Sequence, residues 1–346
     1  MSASNDKDVE SGPLIDNKSD AVVDSSPPDD KKKSGAGKAV SSCALYAFCS
    51  VSMVLVNKSL ASSYNQYIDG DLNFLLVVFQ AIIAIVAVEF CKKMQWVEYP
   101  SFNTETALQW APVNIFFCAM LFTGMTSLQH NSVPMVTVFK NITNIAVAVG
   151  DYYCFGTAVE ILVVVAFGIM LGGALLAAKN DVQITFLGVF WMMANCMATA
   201  GYILYMKFAT KNVKLSKFGM VFYNNVLCAF FLLPVTLING EMSTFLKTGA
   251  IHTFDYMAKN SFAGFVGFFL NFASLNCVAN TGPTTYAIVG SMNKIPIAIL
   301  GWFLFDNIIS PQTWFFIAVS MSGGFFYSYA KLTAGKRKAR KQMRTG

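Results

Sequence analysis

The sequence predicts an all-α membrane protein, with ten transmembrane helices in two inverted five-helix repeats. Three observations carry that prediction. Only 13% of the 346 residues are charged, where a soluble domain averages about 25%. Apolar stretches of about 20 residues, the length that crosses a bilayer, recur from Lys38 to Lys331. A set of polar and glycine landmarks then repeats at roughly 150 residues, half of the apolar region. The 55% hydrophobic content and the mean hydropathy of +0.51 agree.

Residues 1–38 are rich in Ser, Asp, Asn, Lys and Pro, cannot bury enough apolar surface to fold, and read as a disordered tail. No secretory leader is expected, because the start lacks a short apolar core and cleavage site; the first span acts as the insertion signal. The transporter domain runs over 39–331, with spans at about 39–57, 73–91, 107–127, 131–150, 157–178, 184–206, 216–239, 261–279, 282–305 and 311–330. The first repeat covers 39–178 and the second 184–331. A basic tail, 332–346, follows.

Lysines set the expected orientation. Lys31, Lys32, Lys33 and Lys38 precede the first span, Lys92 and Lys93 follow the second, and Lys207, Lys211, Lys214 and Lys217 follow the sixth. The C-terminal run from Lys331 to Arg344 joins this set, while the opposite loops hold only Lys58, Lys179, Lys247 and Lys259. The positive-inside rule puts both termini in the cytosol. Apart from Lys7 and Lys18 in the tail, two cations remain inside spans, Lys140 and Lys294. The net charge of +6 comes from the flanks, so it points to anionic lipid and topology and not to nucleic acid.

The eight cysteines form no CxxC pair and read as small buried apolar groups. His130 and His252 stand alone, so neither a metal nor a cofactor is expected. The acids of the spans (Glu89, Asp151, Glu160, Asp306) form no paired motif, which argues against a membrane enzyme. No filter loop or ring of like residues suggests a channel.

The repeating landmarks centre on the two lysines. Each follows a proline, Pro134 or Pro283, in a span that ends near Asp151 or Asp306. Each is followed by a glycine pair, Gly172-Gly173 or Gly323-Gly324, and then by Lys179 or Lys331. Five spans per half is an odd number, so the copies run in opposite senses across the membrane, with a substrate site expected between them.

At helical spacing Tyr286, Gly290 and Asn293 share a face, with Lys294 at its edge. Lys supplies a point charge and three donors, Asn an amide, Ser291 a hydroxyl, and Gly a close approach to the backbone, a set suited to phosphate. Pro296 cannot bond the carbonyl of Met292, which predicts a kinked helix there. Thr137, Lys140, Asn141 and Asn144 form a similar stripe, either the facing wall of the cavity or interhelical glue. Tyr223, Asn224 and Asn225 fan round their helix, so one or two of them reach a ligand; an amide edge matches a purine. Asn271 with Ser274, Asn195 with Thr199, and Tyr46 are weaker candidates of the same kind.

These residues resemble the fungal Golgi GDP-mannose transporters, a branch of the nucleotide-sugar transporters in the drug/metabolite transporter superfamily. The resemblance spans about 39–331. It rests on Phe222-Tyr223-Asn224-Asn225, matching the FYNN motif, and on Gly290-Ser291-Met292-Asn293-Lys294, matching GALNK with Ser-Met in place of Ala-Leu. It implies ten helices in two inverted halves, residence in the Golgi membrane, and exchange of cytosolic GDP-mannose for lumenal GMP without catalysis. It also implies that Asn224 and Asn225 read guanine, that Gly290 to Lys294 hold phosphate and sugar beside Tyr286, and that the tail from Lys336 binds a cytosolic coat. Another nucleotide sugar or a sugar phosphate is the alternative cargo, and a homo-oligomer is compatible with such a chain.

Overall fold

A computed structural model describes residues 28–62, 72–156, 159–181, 184–210, 212–305 and 309–345, with most side chains of 278–288 and 331–345 undescribed. The first 27 residues of the expected tail, and Asp306, lie outside the described residues. The rest is helical: α1 Pro28–Ser62, α2 Asn73–Lys93, α3 Thr104–His130, α4 Val133–Phe155, α5 Ile161–Asn180, α6 Phe186–Ala209 and α7 Lys217–Ile238. A short α8 (Glu241–Lys247) leads into α9 Phe254–Met292, α10 Lys294–Phe305 and α11 Pro311–Thr345.

Seven of the described helices are long and apolar enough to cross a membrane, in a window from Gly37 to Ser62 in α1 and throughout α2 to α7. The chain is therefore an all-α, multi-pass membrane protein. Short polar segments delimit these helices. Asn103, Ser132, Thr185, Ser216 and Thr253 each accept a hydrogen bond from a first-turn backbone N–H. The left-handed Gly156 closes α4. In the α2–α3 connection the Tyr99 hydroxyl donates to Glu89 at 2.7 Å. Burial, then that carboxylate, push the phenol well above its usual range and keep it protonated.

Several boundaries differ from the expectations. α1 begins at Pro28, ahead of the first expected span, and α11 continues through the basic tail. α9 runs through the gap expected between the eighth and ninth spans, yet it is not straight. Cys277 Sγ lies 3.5 Å from Cys43 Sγ, and a Cβ on Gly290 would lie 3.3 Å from the Tyr46 hydroxyl. A straight helix would carry the chain about 20 Å from residue 277 to 290, whereas residues 43 and 46 are about 4.5 Å apart along α1. The chain therefore turns back between these contacts, an interval that contains Gly282-Pro283, the pair best able to interrupt a helix.

Lys58, expected in a loop, is buried. It sits in α1 and donates to the carbonyls of Leu128 and Asn131, each at 2.8 Å, at the end of α3. An ammonium suits that helix terminus, because the last carbonyls lack partners within the helix and carry the negative end of its dipole. Loop assignment failed because the apolar run ends before the helix does.

α1 packs along α9, α5 along α11, α3 along α6 and α2 along α7. One apolar cluster, including Leu60, Leu76, Val133 and Ile297, closes the bundle where α4 begins. A second, around Val88, Trp110, Tyr223 and Leu227, ties α2, α3 and α7 together.

Candidate functional site

Every residue from Asn131 to Phe139 is buried, Lys140 itself is exposed, and Asn144 to Asp151 are partly or fully exposed. Lys140 thus stands where the sealed stretch of α4 gives way to a more open one towards Phe155. Lys140 has no hydrogen bond or carboxylate partner among the described residues. The Lys294 ammonium and the Cys196 thiol lie within its electrostatic reach.

Lys294 opens α10. Its Nζ donates to Asn141 Oδ1, leaving two of three donor positions free. Asn141 is fully buried, and its amide also points to the Ser320 carbonyl at 3.5 Å. Asn141 is thus the holder of Lys294 and not cavity wall. Thr137 also turns inward, donating to the Val133 carbonyl at 2.7 Å.

The interruption that Pro296 predicts falls at Asn293. The Asn293 N–H still bonds Val289 O at 2.8 Å, and Ile297 N–H bonds Asn293 O at 3.2 Å. The break lies between these two bonds, and Pro296, which has no N–H, leaves the Met292 carbonyl as a spare acceptor. The buried Asn293 Nδ2 has no hydrogen-bond partner, an orphan donor beside a cation and the positive end of α10. Gly290 approaches Tyr46, and Ser291 Oγ bonds Ser328 Oγ in α11 at 2.8 Å. Tyr286 lies outside the residues whose side chains are described.

The second motif divides. Tyr223 is buried; its hydroxyl accepts from Asn103 N–H at 2.9 Å and its ring stacks on Phe102. It anchors the α2–α3 connection, which corrects its place among the ligand contacts. The Asn224 Oδ1 accepts from Trp110 Nε1 at 2.8 Å, and its amide donates to the Tyr202 hydroxyl at 3.0 Å. Its backbone carbonyl accepts from Asn114 Nδ2 at 2.7 Å. Both ends of that buried amide are engaged by protein, so Asn224 is held as part of the scaffold. Asn225 is half-buried, and its amide donates only to Val221 O, at 2.8 Å, one turn back; its carbonyl and second N–H remain available.

Asn195 is likewise glue: buried, it donates to Met120 O at 2.8 Å and to Thr123 at 3.2 Å, tying α6 to α3. Asn271 is exposed and bonds back to Gly267 at 2.9 Å, with the half-buried Ser274 on the same face of α9. Sequence reasoning missed Trp110, Asn114 and Tyr202. The available signal was the i, i+4 spacing of Trp110, Asn114 and Cys118, a polar stripe in an apolar span. These assignments predict opposite outcomes for adjacent residues. Asn224→Ala strands the Trp110 N–H and the Tyr202 hydroxyl and lowers stability by about 1–3 kcal/mol. Asn225→Ala leaves the thermal midpoint unchanged and weakens ligand binding instead.

Among the described residues no cluster of His, Cys, Asp or Glu could hold a metal ion. Asp151 is engaged by Lys207 at 2.9 Å, and Glu89 by Tyr99. A membrane-spanning helical bundle that holds two neighbouring lysines, neither paired with a described carboxylate, has the construction of a carrier for anionic solutes. The chain belongs to the triose-phosphate transporter family, whose model matches residues 38–328. It is 33% identical over 305 residues to a GDP-mannose transporter of Aspergillus clavatus, covering 83% of this chain and 79% of the relative. GDP-mannose transporters of Aspergillus fumigatus and Coccidioides immitis are 32% and 31% identical with the same coverage. A solved crystal structure aligns at TM-score 0.53 and 11% identity over 83% of this chain and 96% of its own, a likeness of fold alone.

Proposed function

We propose that this protein is a nucleotide-sugar antiporter that carries GDP-mannose from the cytosol into the Golgi lumen in exchange for GMP. The observation that carries the reading is the pair of neighbouring ammoniums inside the bundle, Lys140 with no hydrogen-bond or carboxylate partner among the described residues and Lys294 donating to the neutral Asn141; together they would line the substrate cavity. Two cations in mutual repulsion complement a diphosphate. Lys294, the orphan Asn293 amide and Ser291 take the phosphates and sugar, with Lys140 opposite. Gly290 gives close approach beside Tyr46, and Asn225, Asn271 and Ser274 meet the base. Asn224 shapes that wall from behind.

Ten spans in two inverted repeats are part of this proposal, and reciprocal packing supports them. With an offset of 150, Met170 corresponds to Ser320 and Gly173 to Gly323. A Cβ on Gly173 would lie 2.6 Å from Ser320 N, and one on Gly323 would lie 2.8 Å from Met170 N. Each contact is the symmetry counterpart of the other, as a two-fold relation requires. The turn between Cys277 and Gly290 supplies the reversal that separates the eighth and ninth spans. Cytosolic termini follow from the lysine distribution, and coat binding by the segment from Lys336 would hold the carrier in the Golgi.

Exchange follows from electrostatics. Closing the empty cavity would remove two like charges from water without a counter-ion, a cost an anionic passenger relieves. Proteoliposomes loaded with GMP should therefore take up labelled GDP-mannose several-fold faster than empty ones, and external GMP should compete where UMP does not. Equal uptake by empty vesicles would sink the exchange mechanism. Competition by UMP would instead assign another nucleotide sugar.

A further inference from the structure

An apolar groove lies apart from the lysine pair, between α2 and α9. It encloses about 700 Å³ and is lined by residues that include Val86, Phe90, Trp96, Phe265, Phe269 and Phe272. The helices touch at one end, where a Cβ on Gly264 would lie 2.6 Å from Ile83 Cβ. They part over the next two turns, and the groove is the resulting wedge. Each of the six named side chains is substantially exposed, so the walls are aromatic and open to the bilayer.

The open end is cationic. Lys93 follows Phe90 by three residues and Val86 by seven, so it continues the face of α2 that lines the groove. It is exposed and has no ion pair or hydrogen bond among the described residues. Lys217 begins α7 one residue before Phe218, whose ring lies 6.5 Å from that of Phe272. Nearby, Glu89 is engaged by the Tyr99 hydroxyl and Lys92 lies 4.3 Å over the Tyr99 ring. The Glu89 carboxylate is thus turned away, and Lys93 keeps its charge. An apolar slot ending in lysines, with the exposed indole of Trp96 on its wall, complements a molecule with a hydrocarbon chain and an anionic head.

We infer that the α2–α9 wedge is a binding site for an anionic phospholipid of the bilayer, its acyl chain between Phe90 and Phe269 and its headgroup phosphate at Lys93 and Lys217. The lipid holds α9 away from α2 at the end that leads on to Gly290–Lys294. It thereby biases α9, the helix that leads into α10 and its phosphate-binding lysine.

Thermal unfolding of the purified, delipidated protein in detergent tests the assignment. Added phosphatidylinositol should raise the midpoint more than phosphatidylcholine does. Lys93→Gln with Lys217→Gln should weaken that preference about fivefold per lysine. Val86→Trp, which fills the wedge, should remove the response to both lipids. A photoactivatable phosphatidylinositol should label the segment from Phe265 to Phe272, a readout that holds even where Val86→Trp fails to fold. Equal stabilisation by both lipids, labelling confined to other segments, or an equal effect from free inositol phosphate would overturn the site.

Discussion

Replacing Lys294 with Met should abolish exchange while leaving a folded protein. The ammonium is half-buried, and its protein acceptor is a neutral amide oxygen. Its charge is therefore uncompensated until an anion arrives. A charge-assisted contact of this kind is worth about 1.5–3 kcal/mol, or about 10- to 100-fold in binding. Transport loses more than binding does, since the empty-cavity penalty that drives exchange is halved as well. Methionine keeps the length and volume of the side chain, and removing a desolvated charge costs the fold little or stabilises it. The measurement is GMP-stimulated GDP-mannose uptake beside the thermal midpoint. Unchanged uptake would remove Lys294 from the mechanism. Lys294→Arg should restore part of the binding, with altered geometry at Asn141.

Gly173→Leu should be the most destabilising single change, and Gly172→Leu should be close to neutral. A Cβ at Gly173 would meet the Ser320 backbone, 2.6 Å from its N and 2.8 Å from its Cα, whereas one at Gly172 meets nothing within 4 Å. No flexible side chain can yield at Gly173, so α5 and α11 must separate. The bond from Ser320 Oγ to Met170 O, 2.9 Å long and buried, is lost with them. Overpacking of this kind costs about 1–3 kcal/mol or more, plus the lost hydrogen bond. Against a total of about 5–15 kcal/mol that is a large fraction. Thermal midpoints of the two variants in detergent decide the matter, and equal midpoints would refute the packing.

The glycine pairs show how far sequence reading reaches. Both pairs were legible as landmarks of a repeat, because each stands in an apolar helix at the same offset. Which member matters was not legible, since that depends on the rotation of α5 against α11. The same limit divided the two asparagines of α7. Consecutive residues point about 100° apart on a helix; the direction of Trp110 and Tyr202 made Asn224 structural and left Asn225 open. Lys58 was misplaced for a related reason: hydropathy marks where an apolar run ends, while its helix continued past that end and buried the cation.

The sequence by itself determined that the chain crosses a membrane many times, where most of the helices lie, and that Lys140 and Lys294 stand inside it with no acid close by in sequence. These properties are local, set by transfer free energy and helical periodicity, and they survive any arrangement of neighbours. Only the tertiary structure decided that the two ammoniums lie within electrostatic reach of each other, that Asn141 holds Lys294, and that Tyr223, Asn224 and Asn195 bond to the scaffold. A polar group in a bilayer must find a partner. The sequence states that need, but the partner is fixed only when helices distant in the chain settle into register.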